Sequence, residues 1–179
     1  AADKACIQYR MLNRGKGPAV HSLRAQADRR YYQQVMKHTL EMQEHLQLKQ
    51  AQITEVLVEN GAVTGVQTKL GAVYDAKAVI IATGTYLDST IIIGESVQSS
   101  GPDGMHAAVG LADQLRSLGL PLRRFKTGTP ARVSGKSLDF SKMTPQPGDE
   151  GELGFAFDRT VEAVNLVTCW LTYTTEETP

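Results

Sequence analysis

Residues 46–82 constrain the fold more than any other stretch of this 179-residue chain. QITEVLVE is rich in β-formers, with Ile53, Val56 and Val58 as its apolar positions. Asn60-Gly61 follows, a dipeptide whose tolerance of positive φ makes it a strong hairpin signal. Val63, Val66 and Thr68 supply a second strand. Gly71 turns the chain into a third, Ala72-Val73-Tyr74, which completes a β-meander. Next comes AVIIA, Ala78 to Ala82, a continuous apolar run of the kind that suits a strand covered on both faces in a parallel sheet. It ends at Thr83-Gly84-Thr85. A meander feeding a doubly covered strand predicts an α/β chain.

The flanks add helices. Leu23, Ala27, Tyr31 and Val35 fall at four-residue spacing, with Met36 and Leu40 continuing the stripe, so a helix is expected from Ser22 as its N-cap. Arg24, Arg29 and Arg30 then lie in its N-terminal half, where positive charge is unfavourable by a few tenths of a kcal/mol, roughly, unless an anion binds. Before it, RMLNRGKGPAVH at 10–21 reads as a Gly/Pro-broken loop. A second helix is predicted over 105–118 on the stripe Val109, Ala112, Leu115 and Leu118, stopped by Gly119. Residues 134–154 read as loop. FAF at 155–157 and VNLVTCWLTYT at 164–174 read as strands.

Composition excludes several classes. With 41% apolar and 21% charged residues the chain is an ordinary globular mix, against wholesale disorder. No apolar run approaches the ~20 residues of a membrane helix. The opening AADKACIQYR has no apolar h-region, so no secretory signal is expected, and without a Met it reads as a cut or processed terminus. Two distant cysteines, Cys6 and Cys169, form no C-x-x-C, which argues against a zinc ribbon, an Fe–S site or a disulfide framework. A reduced, cytoplasmic compartment is the expectation. The formal net charge is zero but unevenly spread: +6 over residues 1–40, −5 over 41–119, +5 over 120–136 and −6 over 137–179. The two basic blocks fit either an anionic partner or solvated faces answered by the acidic blocks.

Two phosphate-loop candidates fail. Gly15-Lys16-Gly17 lacks the third glycine of a dinucleotide fingerprint, since position 20 is Val20. Gly135-Lys136-Ser137 lacks the first glycine of a P-loop, since position 130 is Pro130. The four histidines form no metal site: His38 and His45 are seven apart, not the three or four that align ligands on a helix. Cys169, mid-strand beside Trp170, reads as a buried apolar thiol. No Ser/His/Asp arrangement can be placed. The chain itself is assigned no catalytic residue and no metal.

The meander leading into AVIIATGTY is similar to the two-dinucleotide-binding flavoproteins, in which small residues at an Ala-Thr-Gly turn let the backbone pass close to the flavin nucleotide. An unrelated α/β strand ending at a glycine turn is the alternative. Longer blocks carry a more specific likeness. Ile7-Gln8-Tyr9-Arg10-Met11-Leu12-Asn13, KGPAV at 16–20, RAQADR at 24–29, ATGTYLD at 82–88, FKTGTPARV at 125–133, LDFS at 138–141 and CWLTYTTEET at 169–178 together resemble the GidA/MnmG family, flavin-dependent enzymes that modify the tRNA wobble uridine. The likeness runs over almost the whole chain.

The resemblance implies a fold and a chemistry. It implies part of a two-dinucleotide-binding FAD domain over 1–132 (helix, meander, buried strand, second helix) and the start of an inserted β-rich domain over 133–179. Family members are roughly three times longer, so it implies an internal fragment. The Gly-rich flavin cradle and the candidate catalytic cysteines would lie outside this chain, and the isolated piece would be inactive. The intact enzyme is expected to use FAD, NADH and methylene-tetrahydrofolate, to work with the partner GTPase MnmE as a homodimer, and to build an aminomethyl-type group on C5 of the uridine. Carried over position by position, Ile53, Ala82, Thr83, Gly84 and Ala108 would contact the flavin. Ala108 stands where Ser is usual, so its contact would come from backbone. Arg10, Arg14, Lys16, Arg24 and Arg29, with Arg123, Arg124, Lys126 and Arg132, would face phosphate or tRNA. The rivals are the paralogous folate-dependent tRNA methyltransferase or another FAD oxidoreductase, and a non-enzymatic RNA-binding module resting on the basic blocks alone.

Overall fold

The computed structural model describes residues 1–158 and 164–176. They form a mixed α/β chain that packs as two units, residues 1–48 with 132–179 and residues 49–131. The division falls between Ala131 and Arg132, whereas the expected FAD-domain segment ran on to Arg132. Residues 1–48, however, pack with the C-terminal segment.

After a four-residue helix, α1 (Ala2–Ala5), the first unit is organised by a hairpin, β1 (Cys6–Leu12) against β2 (Ser22–Ala27). The helix expected from Ser22 is thus a strand as far as Ala27. Leu23 and Ala27 fit a period of two as well as a period of four, and the alternation of exposed and half-buried side chains along β2 is the strand's. A partner strand decided between them. The helix α2 (Arg29–Glu41) begins only after Asp28, which replaces Ser22 as N-cap. Asp28 Oδ1 accepts from the N–H groups of Arg30 and Tyr31, both at 2.9 Å. That carboxylate is the anion that Arg29 and Arg30 need at a helix start.

The outer edge of β1 is closed by segments far away in sequence. The Gln8 side chain donates to the carbonyls of Gln146 and Val167, each at 3.0 Å. Tyr9 N–H donates to Asn165 Oδ1 at 2.8 Å, and Leu166 N–H to Ile7 O at 2.8 Å. Two short strands, β8 (Thr144–Gln146) and β9 (Cys169–Leu171), pair antiparallel beside it. The strand expected over 164–174 therefore contracts to three residues, because the 165–167 backbone serves β1 instead. FAF at 155–157 is bend and turn rather than strand. The Phe155 and Ala156 N–H groups are taken by the Asp3 carboxylate.

The second unit holds the meander as the sequence predicts it: β3 (Ile53–Glu59), β4 (Ala62–Thr68) and β5 (Val73–Asp75), in that spatial order and antiparallel. Asn60 and Gly61 both take positive φ, as the hairpin turn requires. Helix α3 (Val109–Ser117) lies on β3, and Val56, Leu111 and Leu115 form the buried cluster between them, flanked by Val79, Leu87 and Leu122. The predicted stripe shifts by a fraction of a turn. Leu111 faces inward, and Val109 and Leu118 are exposed. Gly119, at φ +85°, stops the helix in a Schellman pattern, its N–H bonding to Arg116 O and that of Leu120 to Leu115 O.

One expectation is corrected outright. Residues 78–82 form no strand, and Ile80 is 92% exposed. Val79 packs on the cluster while Ile80 turns away. An apolar run becomes a covered strand only where neighbours take its N–H and C=O groups. No strand among the described residues does so here. A hairpin that sequence patterning does not reveal, β6 (Thr90–Ile93) with β7 (Ser96–Ser99), follows, its two-residue loop starting at Gly94 with φ +58°.

Candidate functional site

Of the five positions expected to meet the flavin, Ala108 stands at the N-terminal end of α3, and chain neighbours of the other four meet that end. Thr83 O accepts from Tyr86 N–H at 3.1 Å, closing the turn that carries Gly84. Gly84 has φ +56°, and no atom lies within 4 Å of where its Cβ would stand, so the turn is open to close approach. Leu87 then bridges to Ala108: Ala108 N–H donates to Tyr86 O at 3.1 Å and Asp88 N–H to Ala108 O at 3.3 Å. Ala108 is the N-cap of α3 and supplies no side-chain cap. Two residues on, Gly110 abuts Thr54, the neighbour of Ile53, at 3.9 Å from the Thr54 carbonyl oxygen to a Cβ position on Gly110. Ile53 and Thr83 are half-buried, and Ala82 and Gly84 are exposed.

Two polar devices hold the arrangement, and sequence reading finds neither. Gln114 accepts from Val56 N–H at 3.0 Å and donates to Val56 O at 2.5 Å. Its signal is a polar residue within an apolar stripe, three after Leu111 and one before Leu115. Asp88, at φ +46°, accepts from Arg124 Nη2 at 3.1 Å and lies 3.7 Å from Arg116 Nη2, while its carbonyl accepts from Arg124 Nη1 at 3.0 Å.

The basic residues divide. Arg14 pairs with Asp149 at 2.7 Å. Arg10 lies 4.0 Å from the same carboxylate and donates to Pro147 O at 2.9 Å. Arg124 belongs to Asp88. Arg10, Arg14 and Arg124 thus each have an acidic partner within the chain. Arg24 faces Arg10 across the hairpin and is exposed, a like-charge pair that Asp149 relieves on one side only. Arg29 opens α2. Lys16, Arg123, Lys126 and Arg132 are exposed. Arg123 and Lys126 belong to the second unit and the first block to the other.

Burial pushes the Cys6 thiol up, so it stays protonated near neutrality. Cys169 is half-buried rather than apolar-buried, its Sγ 3.3 Å from both Gln8 Oε1 and Gln26 Oε1. Among the described residues no cluster of His, Cys, Asp or Glu could hold a metal, and no helix is long and apolar enough to cross a membrane. A shallow concavity lined by Val63, Thr64, Asp75, Ala76 and Lys77 lies by the Asn60-Gly61 end of the meander, opposite Ile53.

Comparison with known proteins shows the family. The family model described as glucose inhibited division protein A matches residues 1–179. The tRNA uridine 5-carboxymethylaminomethyl modification enzyme MnmG of Caldicellulosiruptor saccharolyticus is 55% identical over 178 residues, 99% of this chain and 28% of that protein. Its namesake from Heliobacterium modesticaldum is 53% identical over 98% of this chain and 28% of its own length. The crystal structure of Aquifex aeolicus GidA superposes with a TM-score of 0.84 at 41% identity, covering 94% of this chain and 29% of that one. The chain thus spans a little over a quarter of the relatives it matches. A family match along its whole length, joined to a shared fold at this identity, means that the chain belongs to the GidA family, glucose inhibited division protein A.

Proposed function

We propose that the chain is the part of an FAD- and NADH-dependent tRNA-modifying enzyme that receives the adenosine half of the flavin. The parent would act in the cytoplasm as a homodimer with a partner GTPase. It would add an aminomethyl-type group, drawn from methylene-tetrahydrofolate, to C5 of the wobble uridine. The observation that carries the reading is the 55% identity to a protein named for uridine 5-carboxymethylaminomethyl modification. The placement of Ala108 at the start of α3, beside Tyr86–Asp88 and near Thr54, supports it, since Ile53 and the open Gly84 turn are chain neighbours of those contacts. Among the described residues there is no Gly-rich cradle for the pyrophosphate, so these residues fit half of the cofactor. The flavin, when bound, supplies the redox chemistry; the chain's own residues bind and orient.

FAD added to the chain and followed by gel filtration tests this. Flavin absorbance is expected in the protein peak and is expected to be lost in Ala108→Glu, which sets a carboxylate at the helix end that would face phosphate. A wild-type peak without flavin sinks the claim that this chain holds the adenosine half unaided.

The tRNA side rests on Lys16 and Arg24, the exposed members of the first block without an ion pair to any described residue. In the full-length parent, Lys16→Glu with Arg24→Glu should weaken tRNA binding and flatten its salt dependence, by a slope of roughly two for two lost phosphate contacts. Equal binding at every salt concentration would remove these residues from the tRNA surface.

A further inference from the structure

We propose that Gln114 is the positioning residue of the adenosine site, fixing the register of α3 on β3; this rests on the function proposed above. β3 is an edge strand of the meander. At Val56, both the N–H and the C=O meet the Gln114 side-chain amide, at 3.0 and 2.5 Å, as they would meet a neighbouring strand. The contact around it is apolar, made by Val56, Leu111 and Leu115. Apolar contact is non-directional and tolerates sliding. The two hydrogen bonds do not, because each demands a donor and an acceptor in line. Gln114 therefore sets where α3 stops along β3. That register brings Gly110 against Thr54, and so sets Ala108 relative to Ile53. The same pair of bonds caps a strand edge that would otherwise offer itself to another chain.

The test uses this chain with three substitutions. Gln114→Met keeps length and helix propensity and removes both bonds. Gln114→Glu keeps the shape, but at pH 7 its charge faces the Val56 carbonyl. Once protonated, the acid can donate where Nε2 did. Leu115→Val lowers stability through packing while leaving the clamp intact. Amide exchange at Val56 and the Gly110 amide resonance read the clamp directly, and FAD titration reads its consequence.

Gln114→Met is expected to speed Val56 exchange about ten-fold, to shift Gly110, and to weaken FAD binding by about ten-fold, the size of one to two lost hydrogen bonds. At pH 7 Gln114→Glu should keep Val56 N–H protected, because a carboxylate oxygen still accepts from it, while losing the donor bond to Val56 O; its Gly110 shift and FAD loss should therefore fall short of those of Gln114→Met and recover as the pH falls toward 5. Leu115→Val should leave FAD affinity within about two-fold, since it spares both hydrogen bonds. Unchanged Val56 exchange in Gln114→Met overturns the proposal, as does an equal loss of FAD affinity in Leu115→Val. If the wild-type chain itself retains no FAD, the adenosine reading falls alone, and the register claim is decided by the Val56 and Gly110 signals, which need no flavin.

Discussion

Gly65→Ala is expected to strip β5 from the meander. A Cβ at position 65 would stand 2.3 Å from the Tyr74 carbonyl oxygen and 3.2 Å from the Asp75 Cα. Both atoms are backbone of β5, so no rotamer change can clear them. Gly65 also faces Leu57 of β3 in the register, which blocks retreat to the other side. One strand must move, at a cost of about 3 kcal/mol, the upper end for overpacking. The damage spreads toward the candidate site, because β5 leads directly into Val79, which packs on Val56, Leu111 and Leu115. Denaturant unfolding should show a lowered midpoint, and the ladder amides shared by β4 and β5 should lose protection against exchange. A midpoint equal to wild type would mean that β5 gives way freely and that the meander does not brace the Ala-Thr-Gly turn.

Asp3→Ala should cost about 2–3 kcal/mol and change how stability depends on pH. Asp3 accepts from the Tyr9 hydroxyl at 2.5 Å, from Phe155 N–H at 2.9 Å and from Ala156 N–H at 2.8 Å. Tyr9 is 0% exposed, so its orphaned hydroxyl would have no water to turn to, and that penalty dominates. Desolvation alone would raise the Asp3 carboxyl, but the bonds from Tyr9, Phe155 and Ala156 outweigh it and hold the group below its ordinary value. A depressed carboxylate contributes stability that is present above the unfolded value near 3.9 and is lost as pH falls through the folded one. Tyr9 behaves oppositely. Burial first, then its bond to Asp3, pushes its hydroxyl up. The stability it contributes is therefore whole below about pH 10 and is lost as pH climbs through the folded value. Unfolding measured across the acid range should show a wild-type decline below about pH 4 that is shallower in Asp3→Ala. Parallel acid limbs in the two proteins would show that Asp3 is not the group responsible.

Both substitutions strike contacts that pattern reading cannot reach. Gly65 looks like a weak point inside a strand. Its need for no side chain comes from how closely β5 passes. Asp3 sits in a short opening helix and gives no sign that its partners lie some 150 residues away at Phe155 and Ala156. Gln114, Asp88 and Asp149 are likewise ordinary surface-type residues until the fold gives each a distant partner.

The sequence by itself determined the local elements whose signals are local. Asn60-Gly61 specified the hairpin, the alternation around it specified β3 to β5, and Gly119 specified the end of α3. Family membership was also legible, because long blocks such as KGPAV and FKTGTPARV need no fold to be recognised. Only the tertiary structure decided the rest. At Leu23 and Ala27 both periods fit, and pairing with β1 chose the strand. At Ile80 a run that reads as buried stands exposed, because burial depends on neighbours rather than on hydrophobicity. At Arg10, Arg14 and Arg124 the blocks of charge do not say which acid answers which base, and the fold supplies Asp149 and Asp88. Turn and cap propensities act over a few residues and are written where they act. Strand pairing, burial and ion pairing are relations between distant positions, and they exist only once the chain has brought those positions together.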